Sequence, residues 1–353
     1  MKKLFQWIFI LSSFSLAAQN DSLFSVYLIG DAGEHREPGK ALLLLRKQLL
    51  SDTNSAVVFL GDNVYPHGLI KNDPVSASHL ESQLQILKEY KGAAYFIPGN
   101  HDWKAQRFNG LKTLKNQEDY VTDYLKKNSS VSNRDSGTFL PSGGLPGPHS
   151  VLIAEKLRLI IIDTQWFLHF YKKNKTGSIR ETKKIFYSRL DSLLLASKIA
   201  GERVLIAAHH PLFSNGLHSR SMQPYRFMVN YTPFRLFGFF GLTRLYTQDL
   251  AQPRYKKMGV DLLKVIDKYS NVIYASGHEH NLQLIEHANN TFVISGSGSK
   301  VSSFVKKKKW KTLFEDDRST GFVKIDYRPR QMPVITFYRT EGSDPVFIKM
   351  REK

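Results

Sequence analysis

The sequence predicts an α/β protein, and three observations predict it. Short apolar runs rich in β-branched and aromatic residues recur along the chain, helical patterns separate several of them, and each run ends in a polar cluster. The runs span 24–29, 56–60, 94–97, 157–162, 203–207 and 271–275. Helical periodicity fills 40–50, 78–90, 180–199 and 260–268, where apolar side chains return every three to four positions. Strands alternating with helices build β-α units whose sheet is covered by helices. The last third changes character, with 283–286, 291–295, 321–327, 334–338 and 345–349 reading as strands joined by turns. These residues predict a second, more antiparallel sheet packed against the first. Long connections remain at 128–148 and 215–253, and loops of that length usually carry function or motion.

Composition narrows the chemistry. Of 353 residues, 42% are hydrophobic and 12% aromatic, enough for a packed core. No internal repeat or linker interrupts the chain, so a single domain is expected over 20–353, with an apolar insertion at about 220–255. The first 19 residues stand apart. Lys2 and Lys3 precede an apolar run from Leu4 to Leu16 that ends in Ala17 and Ala18, the layout of a secretory signal peptide. The protein is therefore expected to be exported to the periplasm, the cell surface or the medium once that peptide is removed. There is no cysteine, which excludes thiol catalysis, zinc–thiolate sites, disulfides and cysteine-linked lipid. A formal net charge of +19 favours anionic partners. The lysine runs at 306–309 and at Lys172, Lys173 and Lys175 read as solvated loops, so charge supports an anionic partner without selecting one.

Five polar clusters follow strands directly. They are Gly30-Asp31-Ala32-Gly33, Gly61-Asp62-Asn63-Val64-Tyr65, Gly99-Asn100-His101-Asp102, Ala207-Ala208-His209-His210-Pro211 and Gly277-His278-Glu279-His280. In an α/β sheet the crevice beyond the carboxyl ends of the strands receives the ligand. Carboxylate, amide oxygen and imidazole without sulfur suit iron, manganese or zinc. A carboxylate can bridge two ions, and two ions a few ångströms apart can clamp a phosphoryl group and activate water. Each cluster alone is weak, because Gly-Asp is an ordinary turn and paired histidines occur on surfaces. Five in this order, each closing a strand, point together to a metal site.

This set of motifs resembles the five blocks of the calcineurin-like metallophosphoesterases and, within them, the purple acid phosphatases of the short tartrate-resistant type. Tyr65, three residues after Asp62, carries the finer resemblance, together with His280-Asn281-Leu282-Gln283, Ser295-Gly296-Ser297-Gly298 and Gly321-Phe322-Val323. The similarity runs over about 25–349, and it implies a four-layer α/β/β/α sandwich, two mixed sheets flanked by helices. It also implies two metal ions, one held by Asp31, Asp62, Tyr65 and His280 and the other by Asp62, Asn100, His209 and His278, with Asp62 as the bridge. The tyrosine site would take Fe(III), as suits a phenolate, and the other Fe(II), Zn(II) or Mn(II). His101 would contact the substrate phosphate, Asp102 would orient His101, and His218 would protonate the leaving group. His210 falls behind the ligands or on the surface. The implied reaction is hydrolysis of phosphate monoesters, of the acid-phosphatase type, by in-line attack of a metal-bound hydroxide.

The sequence departs from that family in one stretch. Residues 231–246 contain Tyr231, Phe234, Leu236, Phe237, Phe239, Phe240, Leu242, Leu245 and Tyr246, interleaved with Arg235 and Arg244. That is more apolar than a surface loop. It reads as a substrate lid, a peripheral membrane contact or a partner contact, against the ordinary alternative of an extra helix folded on the core. A membrane contact would make lipid phosphates substrates alongside phosphorylated small molecules. Nucleic acid is not expected as a specific partner, since no basic-aromatic groove can be traced. A phosphodiesterase and a non-catalytic metal-binding protein at a membrane are the competing readings, while the motifs leave the oligomeric state open.

Overall fold

Strand β1 (Phe24–Ile29) sets the plan of the molecule. Val26 and Leu28 point to one side of it and Tyr27 and Ile29 to the other, and all four are buried. A strand buried on both faces belongs inside a layered structure. The computed structural model describes residues 23–106, 109–135, 137–169, 176–219, 252–342 and 344–351. The signal-peptide reading of 1–19, the lysines at 172, 173 and 175, and the apolar segment 231–246 lie outside the described residues. No helix among the described residues is long and apolar enough to cross a membrane.

Two sheets form the centre. The first runs β13 (Val346–Lys349), β12 (Val334–Arg339), β11 (Gly321–Tyr327), β1, β2 (Ser55–Phe59), β3 (Ala93–Phe96). The second runs β10 (Thr312–Asp316), β8 (Leu282–His287), β9 (Asn290–Ser295), β7 (Val272–Ser276), β6 (Arg203–Ala207), β5 (Leu157–Ile161), β4 (His149–Ala154). Strands β1, β2 and β3 are parallel, as are β5, β6, β7 and β9, and the remaining pairings are antiparallel. The sheets face each other through Val26, Leu28, Val58, Leu159, Leu205 and Val293. Helices cover the outer faces, among them α1 (Lys40–Ser51) near β11 and α5 (Thr176–Ala200) against β6. The result is a mixed α/β sandwich of two mixed sheets flanked by helices.

The expected second sheet is present and packed against the first, but the expectation that the late strands form it as the more antiparallel one is corrected. The late strands divide, with β8, β9 and β10 joining the second sheet and β11, β12 and β13 extending the first beside β1. Pairings such as Phe24 with Tyr327 join residues far apart in sequence, so no local pattern announces them. Helix α2 (Pro74–Leu84) begins four residues before the periodic stretch at 78, because Asp73 accepts the Ser76 N–H at 2.9 Å and Pro74 opens the first turn. Helix α6 (Pro253–Ile266) starts early in the same manner, on Gln252 and Pro253. Helix α3 (Gly110–Asn128) was not foreseen from the sequence. A short helix α4 (Thr164–Leu168) is capped by Asp163, which accepts the Trp166 N–H at 3.1 Å.

Candidate metal centre

The polar clusters at the ends of β1, β2, β3, β6 and β7 meet at one edge of the sandwich. The loops after β1 and β7 touch, since a side chain at Gly30 would place its Cβ 2.9 Å from the Gly277 Cα. Asp31, Asp62 and His278 all adopt left-handed backbone, with φ of 57°, 56° and 68°. Aspartate and histidine visit that region more readily than most side chains, and such local strain gathers at functional sites.

The side chains converge on a buried point. The Tyr65 hydroxyl lies 3.0 Å from Asp31 Oδ1, 3.0 Å from Asp62 Oδ2 and 3.3 Å from His280 Nε2. His280 Nε2 is itself 3.4 Å from Asp31 Oδ1. On the other side of Asp62, Asn100 Oδ1 sits 2.9 Å from His209 Nε2 and 3.0 Å from His278 Nδ1. His209 Nε2 lies 3.5 Å from Asp62 Oδ1, so Asp62 stands between the two groups. The His209 ring is oriented by its Nδ1, 2.8 Å from the Leu60 carbonyl, and the His278 N–H donates to Asp31 Oδ2 at 2.7 Å. All seven residues that the sequence nominated as ligands are therefore brought together.

Metal ions fit this donor set. Asp31 and Asp62 are buried, and among the described residues only imidazoles lie within ion-pair distance of them. Their charge, facing imidazoles, a phenol and an amide, can be balanced by a bound cation. Burial opposes ionisation of Asp62, but the neighbouring His209 and His101 outweigh it and hold that carboxyl well below its usual range. Burial and then the charges of Asp31 and Asp62 push the Tyr65 phenol up. Asp31, Asp62 and His209 could also share an ion, as could His209, His210 and His278; the members of each trio offer ligand atoms within 4.8 Å of one another.

Asp102 requires a correction. It does not orient His101, whose Nδ1 instead lies 2.7 Å from the Pro66 carbonyl. The Asp102 carboxylate accepts the N–H groups of Gly99 at 2.7 Å, Asp62 at 2.9 Å, Asn63 at 3.0 Å and Val64 at 3.2 Å, and the Asn63 side-chain amide at 3.1 Å. It ties the loops after β2 and β3 together. Burial and the Asp62 charge push this carboxyl up to about 7, against the pull of those donors.

His101 and His218 both reach the site. His101 places Nε2 3.9 Å from Asp62 Oδ2, with its ring 4.3 Å from that of Tyr65. The His218 ring lies 4.5 Å from that of His278. His210 is buried rather than on the surface, with Nδ1 2.8 Å from Thr164 Oγ1 and its ring 4.5 Å from His278. Two neighbours were not foreseen. Glu279 is buried between His278 and His280 and accepts from Ser214 Oγ at 3.0 Å and the His218 N–H at 3.4 Å. The Lys300 ammonium sits 3.7 Å from the Tyr65 ring centre and 2.7 Å from Glu34. Glu279 lies inside the Gly277–His280 block, a signal that could have found it; nothing near Lys300 in the sequence marks it.

The chain belongs to the calcineurin-like phosphoesterase family, whose model matches residues 24–282. No curated protein matches it. Among solved structures it is similar to GAP50, the anchor in the inner membrane complex of Plasmodium, at 18% identity and a TM-score of 0.58, over 94% of this chain and 89% of that one. A dimetal phosphatase from Danio rerio aligns at 14% identity and a TM-score of 0.51, over 92% and 98% of the two chains. A purple acid phosphatase from yellow lupin (Lupinus luteus) seeds aligns at 16% identity and a TM-score of 0.50, over 93% of this chain and 54% of that one. At these identities the likeness establishes the fold alone.

Proposed function

We propose that the protein hydrolyses phosphate monoesters with two metal ions, as an acid phosphatase of the purple type. The convergence of Asp31, Asp62, Tyr65, Asn100, His209, His278 and His280 on one buried point carries this reading. Asp31, Asp62, Tyr65 and His280 would hold Fe(III), and Asp62, Asn100, His209 and His278 would hold Fe(II), Zn(II) or Mn(II). When bound, the ions supply Lewis acidity toward phosphoryl oxygens and an activated water. A phenol beside two carboxylates suits a hard trivalent ion, which favours the purple type over relatives that rely on carboxylate, amide and imidazole alone.

The chain's own groups supply the rest. His101, with Nδ1 turned to the Pro66 carbonyl, leaves Nε2 on the site face to hydrogen-bond a phosphoryl oxygen. His218, its ring against His278, would hand a proton to the leaving oxygen. Glu279 holds the loop that carries His218, and Asp102 fixes the backbone on which Asp62 and Asn100 stand. The substrate would be a phosphorylated small molecule or lipid, and the basic head and apolar run of the first 19 residues support export of the enzyme.

The test is phosphate release from an aryl monoester and its matched diester, with protein loaded with iron plus zinc or manganese, from mildly acidic to neutral pH. The monoester should be preferred, and Asp62→Ala should abolish its turnover. A preference for the diester overturns the monoester reading, and no turnover of either ester with both metals bound overturns catalysis.

A further inference from the structure

The segment after β9 links the metal centre to the lysine run, and it is held throughout. Ser299 Oγ donates to the Asp31 carbonyl, Lys300 lies over Tyr65, and the Ser302 N–H donates to the His280 carbonyl at 2.7 Å. Next, Asn215 clamps the ribbon. Its carbonyl accepts the Val305 N–H at 2.9 Å, and its Oδ1 accepts the Lys309 and Trp310 N–H groups at 3.1 and 3.0 Å. Its Nδ2 donates to the Trp310 carbonyl at 2.7 Å, and the Trp310 ring packs 4.6 Å from Phe213. Asn215 stands three residues before His218, so the lysine run is fastened to the same loop that delivers His218 to the site.

Five of the six residues 306–311 are lysines, and all five are exposed. The acids nearby are already engaged. Glu315 pairs with Lys308, Asp317 accepts the Phe304 N–H at 3.0 Å, and Asp316 accepts from the backbone of Arg318 and Ser319 and pairs with Arg339. Among the described residues, Lys306, Lys307, Lys309 and Lys311 have no acidic partner within ion-pair distance. A row of exposed ammonium groups without acidic ion-pair partners has a strong attraction for anionic surfaces.

We propose that this ribbon, 306–311, docks the mouth of the metal centre onto an anionic phospholipid bilayer. The run holds no arginine, so it lacks the planar forks that grip individual phosphates. The aromatic residue within it, Trp310, and the one just before it, Phe304, do not offer free faces for nucleobases, because Trp310 packs on Phe213 and the ammonium groups of Lys308 and Lys309 lie 5.0 and 4.7 Å from the Phe304 and Trp310 ring centres. Flexible point charges suit the diffuse negative potential of headgroups, where each lysine is worth roughly a fivefold change in partitioning. The proposal deepens the phosphoesterase reading by giving it a substrate class, phosphate esters presented at that surface. Bilayer binding needs no turnover, so either reading can fail alone.

The experiment is sedimentation of the metal-loaded protein with sucrose-filled vesicles of phosphatidylcholine, with and without about one third phosphatidylglycerol, at near-physiological salt. The wild type should bind the anionic vesicles and not the zwitterionic ones. The Lys306→Gln, Lys307→Gln, Lys309→Gln, Lys311→Gln protein should lose on the order of several hundredfold in partitioning, given four contributions of about fivefold each. Its turnover of a soluble aryl phosphate should be unchanged, which shows that it is folded. Equal binding of the wild type to both vesicles overturns the proposal, as does full binding by the substituted protein. So does tighter binding to duplex DNA than to anionic vesicles, which would make the ribbon a nucleic-acid contact.

Discussion

At the residue scale, the Asp102 carboxylate explains how two loops from neighbouring strands present their ligands in register. Four backbone N–H groups and one side-chain amide point at its two oxygens, from Asp62, Asn63 and Val64 in the loop after β2 and from Gly99, beside Asn100, in the loop after β3. Removing the charge while keeping the shape tests that role. In Asp102→Asn the amide offers one acceptor oxygen and turns an NH2 group toward N–H donors, so at least one buried donor loses its partner, at about 1–3 kcal/mol. Residues that hold metal ligands in place are typically worth about 10–100-fold in affinity. Competition of the protein with a zinc-specific chelator should therefore show a loss in that range, alongside a lower unfolding midpoint. Because His101 is oriented by the Pro66 carbonyl, its ring should stay where it is. An unchanged zinc affinity would remove Asp102 from the support of the site.

At the element scale, the parallel strands and their ends are the part most legible in the sequence. β1, β2, β6 and β7 are buried on both faces, so each reads as a continuous apolar run, and the ligands follow within a few residues of its end. Helix α3 is hidden because its buried stripe includes Thr113 and Gln117 among Leu114, Val121 and Leu125, which blurs the apolar period. β4 and β10 are edge strands with no fully buried residue, so they lack the signature of a central strand. The direction of the Asp102 carboxylate and the burial of His210 depend on which loops meet, and that lies in the tertiary packing alone. The tightness of that meeting is testable with glycine. A Cβ at Gly99 would fall 2.2 Å from the Asp62 N and 2.3 Å from Asp62 Oδ1, so Gly99→Ala should lower stability by at least about 2 kcal/mol. Gly259, inside α6, offers the contrast. Its Cβ would meet only Leu212 Cδ2, at 3.9 Å, so Gly259→Ala should raise stability by about 0.5–1 kcal/mol. Urea midpoints of both variants decide the matter, and equal effects would mean that the loops after β2 and β3 are not close-packed.

At the scale of the whole molecule, a net charge of +19 makes the chain sensitive to the loss of any carboxylate that the fold has placed well. Protonating acids adds to an excess of positive charge that already opposes compaction. The pair between Arg158 on β5 and Glu202 just before β6 is the clearest such case in the described residues. Arg158 donates from Nε to Glu202 Oε2 at 2.6 Å and from Nη2 to Oε1 at 2.9 Å, a two-pronged contact joining adjacent strands of the second sheet. Hydrogen bonding to Arg158, opposed by partial burial, holds the Glu202 carboxyl below its usual range. A carboxyl whose folded pKa is lowered stabilises the protein above its unfolded pKa and loses that contribution as pH falls through the lower, folded value. Glu202→Gln keeps the size of the side chain but removes the charge at every pH. The wild type should exceed it by about 1–2 kcal/mol at pH 6, a figure expected for a partly buried bidentate pair. That gap should hold down to about pH 4.5, the ordinary value for glutamate, and close below it as Glu202 itself becomes protonated. Urea unfolding at a series of pH values reads the gap directly. A gap that persisted undiminished at pH 2 would assign the effect to side-chain packing, and the acid sensitivity of the sandwich would then lie in carboxylates other than this one.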